Sequence, residues 1–240
     1  MSEPNVTEQK KSSLLDLTKD KNTLIAVICL ATAVVLRLLY NTVETFSDPL
    51  WDRLNFAISS GFSTGLVSAF FAWLWNSVVV DTLWLIACAL PVAGIIFVKH
   101  KLGKWLLIAG FGLVAVLNFF SMFYKIYDMN FLSIVWWLFN AFLVLVLTAA
   151  FVLIALHYWN NGKWIPEKIK NIAIFAGAGA QIVIWGCLSV IAIINLFYGY
   201  SFWSMLGYWF GASMLRLIML AMLAGAFFYK PCQENLPENE

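Results

Sequence analysis

The sequence predicts an all-α integral membrane protein, a polytopic bundle of six transmembrane helices. Three observations lead there. Hydrophobic residues fill 62% of the 240 positions and charged residues only 12%, about half the charged share of an ordinary soluble domain. A chain this apolar cannot clothe itself in polar surface, and lipid is the alternative solvent. Apolar runs recur at roughly 24–43, 82–98, 104–124, 131–157, 171–197 and 203–229, each close to the ~20 residues that cross the hydrocarbon layer as a helix. Twelve Trp and eight Tyr fit the same setting, because their amphipathic rings settle at the water–lipid boundary.

Taken in order, residues 1–22 form a polar tail carrying Lys10, Lys11, Lys19 and Lys21, residues 23–229 a single membrane domain, and residues 230–240 a second short tail. Because the first apolar run follows this polar tail and continues for a full span, it reads as an uncleaved anchor, even though Ala31-Thr32-Ala33 within it resembles a cleavage site.

The stretch 50–80 is ambiguous, since residues 54–80 hold no charge and could count as a seventh span. Lys and Arg gather in cytoplasmic loops, so loop charge arbitrates. With six helices, Lys10, Lys11, Lys19, Lys21, Lys99, Lys101, Lys104, Lys163, Lys168, Lys170 and Lys230 lie inside and only Arg53 and Lys125 outside, 11 against 2. With seven, the four tail lysines change sides and the balance falls to 8 against 5. Six helices with both ends cytoplasmic follow, in a plasma or inner membrane. The 50–80 stretch then becomes an outer segment. Leu50, Trp51, Leu54 and Ile58 share one face, as in an interfacial helix. Gly61, Gly65, Ser68, Ala72 and Asn76 form a small-residue stripe, read as a re-entrant helix over 61–76.

Small residues recur within the spans: Gly207 and Gly211, Ala221 and Gly225, and Ala173, Ala176, Gly177 and Ala180. Such faces let helices approach closely. They imply a compact bundle whose partners are the bilayer and, through these faces, a second copy or another membrane protein.

Polar residues inside apolar runs are the functional candidates. Arg216 sits near the middle of the last run, where a guanidinium costs roughly 2.5–3.5 kcal/mol to insert, so it must face the bundle or water. Gln181 and Asn140 are its candidate partners. Arg37 lies toward the outer end of the first run, and Glu44, seven residues on, shares nearly its face. With Asp81, Asn118 and Asn195 these outline an outer polar vestibule.

Gly61-Phe62-Ser63-Thr64-Gly65 matches the G-x-S-x-G of serine hydrolases. The helical surroundings and the placement of His100 and His157 on the opposite side leave Ser63 without a base, and Ser213 likewise lacks a persuasive His. Cys29, Cys88, Cys187 and Cys232 are dispersed, with no CxxC and no metal-ligand spacing. Neither a cofactor nor a metal is expected, and the net charge of +2 does not point to nucleic acid. Proton-driven chemistry usually needs an intramembrane carboxylate or His, and amides occupy those places here. Enzymatic activity is therefore the weaker expectation. What remains is a small transport or permeation component for a small solute or ion, or a non-catalytic scaffold working through a partner.

Overall fold

The computed structural model describes residues 20–47, 67–68, 70–71, 73–97, 101–123 and 131–230. It is helical, and no strand occurs among the described residues. Among the described residues, six helices are long and apolar enough to cross a membrane: α1 Lys21–Ser47, α2 Asp81–Ile96, α3 Lys101–Ser121, α4 Phe131–Trp159, α5 Glu167–Phe197 and α6 Phe202–Phe228. The helices fall where the apolar runs lie, because in lipid only an internally bonded helix satisfies every backbone group of a lone span.

Local chemistry sets several helix ends. Asp20 precedes α1, and its carboxylate accepts the Asn22 and Thr23 backbone N–H groups at 3.2 Å each and the Thr23 hydroxyl at 2.6 Å, satisfying donors that have no partner within the helix. Between α4 and α5 the chain turns through Asn161 and Gly162 at φ of 49° and 77°, a left-handed region that glycine enters freely. Pro166 then leads into α5, and Glu167 meets the positive end of the helix dipole. Gly199, at φ 85°, turns α5 into α6.

The helices form a ring in which each packs on its sequence neighbours and α1 closes against α6. Neighbours run antiparallel. Gly94 of α2 faces Gly103 and Leu107 of α3, whereas Gly110 faces Pro91 and Leu90. Similarly, Gly225 of α6 lies against Leu30 and Ala26 of α1, and Gly211 against Tyr40. We call the end at which α1 begins and α6 finishes proximal, and the other end distal.

The two ends differ in packing. A continuous apolar core, including Leu30, Ile95, Phe111, Leu147, Phe151, Ile154, Met222 and Leu223, fills the proximal half. Glycines set the close approaches there: a Cβ on Gly225 would sit 2.5 Å from Leu30 Cγ, and one on Gly177 would sit 3.0 Å from Ala150 Cβ. In the distal half α4 exposes Ile134, Val135, Trp136, Leu138 and Phe139, and α6 exposes Phe202, Trp203, Leu206, Tyr208 and Phe210. A helix packed along one face buries every third or fourth residue. Exposure at successive positions means that these distal stretches are covered less than the proximal half, although Trp137 Nε1 still donates to the Met122 carbonyl of the α3 end at 3.0 Å and Trp209 Nε1 to Ser189 Oγ of α5 at 2.9 Å. For the same reason Gly207, expected at a close helix crossing with Gly211, has nothing within 4 Å of its Cβ position.

Leu74–Val80 is a π-helical run that passes directly into α2. This part of the ambiguous 50–80 stretch therefore lengthens the second span distally, and the second membrane crossing spans Val78–Ile96. The amphipathic stretch 50–58 and the glycines at 61 and 65 lie outside the described residues.

Candidate functional site: a polar layer with one residue from each helix

Each pair of helices joined at the distal end carries a polar link. Arg37 on α1 donates through Nη2 to Asp81 Oδ1 on α2 at 2.6 Å, and both side chains are buried. The guanidinium also lies 5.1 Å from the Tyr40 ring and 5.5 Å from the Trp84 ring, faces that attract a cation. Asn41 Nδ2 donates to the Asp81 carbonyl at 3.1 Å. The ion pair is a half-made fork, because Arg37 Nε and Asp81 Oδ2 are buried without a hydrogen-bond partner.

On the next pair, Asn118 of α3 donates through Nδ2 to the Val144 carbonyl at 3.1 Å and to Thr148 Oγ1 at 2.9 Å, both on α4. On the last pair, Arg216 of α6 donates through Nη1 to Gln181 Oε1 of α5 at 3.0 Å. Gln181 is fully buried, yet its Nε2 has no partner, and neither has Arg216 Nε.

These links share one level of the bundle. Tyr40 lies against Gly211 and Leu30 against Gly225, which puts Arg37 level with the turn Met214–Arg216. Gly110 faces Pro91 and Leu90, so Asn118, two turns further along α3, is level with Asp81–Trp84. Gly177 touches Leu147 and Ala150, so Gln181 is level with Val144. Arg37, Asp81, Asn118, Thr148, Gln181 and Arg216, one from each helix, thus form a single polar layer. It rests on the apolar proximal core and faces the more exposed distal ends.

Just distal of the layer, α5 and α6 are held by a reciprocal clasp. Trp185 Nε1 donates to Ser213 Oγ at 2.8 Å, and Ser213 Oγ donates to the Trp209 carbonyl at 2.7 Å. In the other direction, Trp209 Nε1 donates to Ser189 Oγ and Ser189 Oγ to the Trp185 carbonyl, both at 2.9 Å. The two indoles lie 6.3 Å apart. Each helix contributes Trp-x-x-x-Ser, Trp185 to Ser189 and Trp209 to Ser213, and antiparallel packing makes the exchange mutual. The clasp holds the register that brings Arg216 to Gln181. That repeated spacing was available in the sequence, where Ser213 had drawn notice only as a candidate nucleophile.

The layer sorts the sequence candidates. Arg37 and Asp81 meet, as do Arg216 and Gln181. Asn118 does not join the α1–α2 group but turns to α4. Asn140 makes no bond to Arg216; it is half-buried on α4, four residues distal of Val144, about 6 Å along the axis. Asn195 lies at the distal end of α5, where its carbonyl accepts the Tyr198 and Tyr200 N–H groups. Glu44 belongs to α1, but its side chain lies outside what is described, and Ser63 lies outside the described residues altogether.

A second polar group occupies the proximal end. Lys170, counted in the sequence as a loop charge, is fully buried in the first turn of α5, with Nζ 5.8 Å from the Tyr158 ring and no hydrogen-bond partner. Tyr158 donates to the Ala226 and Tyr229 carbonyls at 3.3 and 3.4 Å, and His157 Nδ1 lies 2.6 Å from the Ile165 carbonyl. Glu167 pairs with Lys230 at 3.0 Å near the surface. Burial pushes the Tyr229 phenol above its ordinary range, so it stays protonated. No group of three or more His, Cys, Asp or Glu able to hold a metal occurs among the described residues.

No protein-family model matches this chain, and neither a curated protein nor a solved structure is significantly similar to it.

Proposed function

We propose that this multi-pass membrane protein is a small transport or permeation component, in which a solute reaches the polar layer from the distal side and is stopped by the apolar proximal core. One observation carries the reading: six polar residues, one per helix, lie at a single level between an apolar core and a more exposed distal half. A layer serving only to hold the bundle together would have every donor and acceptor engaged, because an unmade buried hydrogen bond costs about 1–3 kcal/mol. Here Arg37 Nε, Asp81 Oδ2, Gln181 Nε2 and Arg216 Nε have no partner. In the topology drawn from loop charge, the distal side faces away from the cytoplasm and both chain ends lie within it, at a plasma or inner membrane.

The test is accessibility combined with flux. In a cysteine-free background reconstituted in liposomes, cysteines at Asn140 and Arg216 are expected to react with a membrane-impermeant thiol reagent supplied on the distal side. Cysteines at Leu147 and Leu223 are expected to stay unreactive. Protection of Asn140 and Arg216 together with the core positions would sink the pathway.

The alternative is a non-catalytic scaffold or subunit, favoured by the exposed aromatic residues at the distal end, Trp136, Phe139, Phe197 and Trp203. It predicts a stable complex after gentle solubilisation and no solute flux from the purified chain.

A further inference from the structure

We propose that Arg216 and Gln181 form the binding site for the carboxylate of a small organic anion, an inference that rests on the reading that solute reaches the polar layer. The argument begins with charge. Among the described residues the ion pairs are Arg37 with Asp81 and Lys230 with Glu167. Arg37 is neutralised within the layer, whereas Arg216 is met by an uncharged amide. The layer therefore carries one uncompensated positive charge, deep enough in the span that a counter-ion is strongly favoured.

Hydrogen bonding then narrows the class. Gln181 spends its acceptor on Arg216 Nη1, leaving its Nε2 as an unpartnered donor inside the bundle. Arg216 Nε is also an unpartnered donor. Both vacancies call for an acceptor, so a cation or a pure donor does not fit. The unused side of the guanidinium is its Nε–Nη2 edge, whose two parallel N–H groups match the two oxygens of a carboxylate. A singly charged carboxylate also balances the one free charge. Inorganic phosphate is a mixture of mono- and dianion at neutral pH; the dianion would leave an excess of charge and the monoanion brings hydroxyl donors that two donor-only vacancies do not match, and chloride gains nothing from a directional fork.

Trp185, one turn distal of Gln181, and Trp209, two turns distal of Arg216, keep the two helices in register and so hold the pair together. Arg216 is half-buried and Gln181 fully buried. The two unpartnered donors, Arg216 Nε and Gln181 Nε2, are thus both held inside the bundle, and a ligand reaches them by displacing the side chains that cover them.

The deciding variant is Gln181→Glu. It is nearly isosteric, places a carboxylate of the protein's own at Arg216 Nη1 so that the free charge is already balanced, and removes the Nε2 donor the ligand would use. The probe is radiolabelled butyrate, measured by equilibrium binding to the full chain in detergent, with labelled orthophosphate as the parallel arm and excess chloride as competitor. The expected result is saturable butyrate binding that chloride at matched ionic strength does not displace, loss of that binding by more than about thirtyfold in Gln181→Glu, and a smaller loss in Arg216→Lys, which keeps the charge but not the fork. Gln181→Glu should retain the wild-type resistance to SDS unfolding, so its loss of binding cannot be put down to misfolding. If it does not, Arg216→Lys decides.

No saturable butyrate binding, or binding untouched by both substitutions, overturns the site. Binding of orthophosphate in preference to butyrate overturns the carboxylate class. Flux on the same preparations separates this inference from the function it rests on. Butyrate binding without butyrate flux leaves the site standing and removes the transport reading. Flux of labelled glycerol or rubidium that Gln181→Glu does not alter, with no butyrate binding, keeps transport and removes the site.

Discussion

Replacing Asp81 with leucine leaves the Arg37 guanidinium buried opposite an apolar side chain. In the wild-type protein the pair is joined by a single 2.6 Å bond, with side chains 5% and 10% exposed. Removing one partner of a buried pair costs about 3–5 kcal/mol, because the survivor is an uncompensated charge. The Tyr40 and Trp84 rings, at 5.1 and 5.5 Å, remain to solvate the guanidinium in part. That places the expected cost near the lower end, about 3 kcal/mol, or roughly a hundredfold fall in the folded-to-unfolded ratio. The partner experiment is Arg37→Met with Asp81→Leu, which removes both charges at similar volume and should return to within about 1 kcal/mol of wild type. Reversible SDS titration followed by circular dichroism measures both. A single substitution costing less than about 0.5 kcal/mol, or a double substitution costing as much as the single, would refute the claim that this pair is a buried, mutually dependent unit.

Three further outcomes follow from the packing. Gly225→Ala must push Leu30 Cγ from 2.5 Å and should destabilise by about 1–3 kcal/mol, while Gly186→Ala, with nothing within 4 Å, should be neutral or stabilise by up to about 1 kcal/mol; the same titration separates them. Asn118→Val removes both bonds to α4 and should cost about 0.6–1.7 kcal/mol, with little further loss on adding Thr148→Val, as a double-mutant cycle would report. Asp20→Ala should lower helix stability by about 1 kcal/mol. The Thr23 hydroxyl and neighbouring N–H groups hold the Asp20 carboxyl below its usual range, so its contribution is complete above the unfolded value near 4 and disappears as pH falls through the lowered folded value. Circular dichroism of wild type and variant should therefore converge in acid.

How much of this was legible in the sequence depends on the kind of constraint. A span must be internally bonded, so six apolar runs announce six helices with no tertiary information. That Arg216 requires a partner was equally readable, because an isolated guanidinium is not tolerated in lipid. Which partner it takes was not, since Gln181 and Asn140 lie on different helices, and only the ring order, in which α6 packs on α5 and α1, selects between them. The partners of Asn118, the Val144 carbonyl and Thr148 on α4, were hidden for the same reason. Lys170 shows the converse limit. Its neighbours in sequence placed it in a charged loop, but α5 begins at Glu167 and carries it under Tyr158. The paired Trp-x-x-x-Ser spacings were visible but mute, because a hydroxyl that donates to the carbonyl four residues back gains meaning only when a second helix supplies the indole.

The closure of α1 against α6 also governs how the protein comes to exist. Synthesis delivers the hairpins one after another, so α1 waits with Ala26 and Leu30 uncovered until α6 arrives with Gly225. Gln181 on α5 also waits for Arg216, though only for the next helix to be made. A nascent chain halted after five helices holds its first and fifth helices unsatisfied at once. Arrival of α6 is therefore the step that satisfies both helices together.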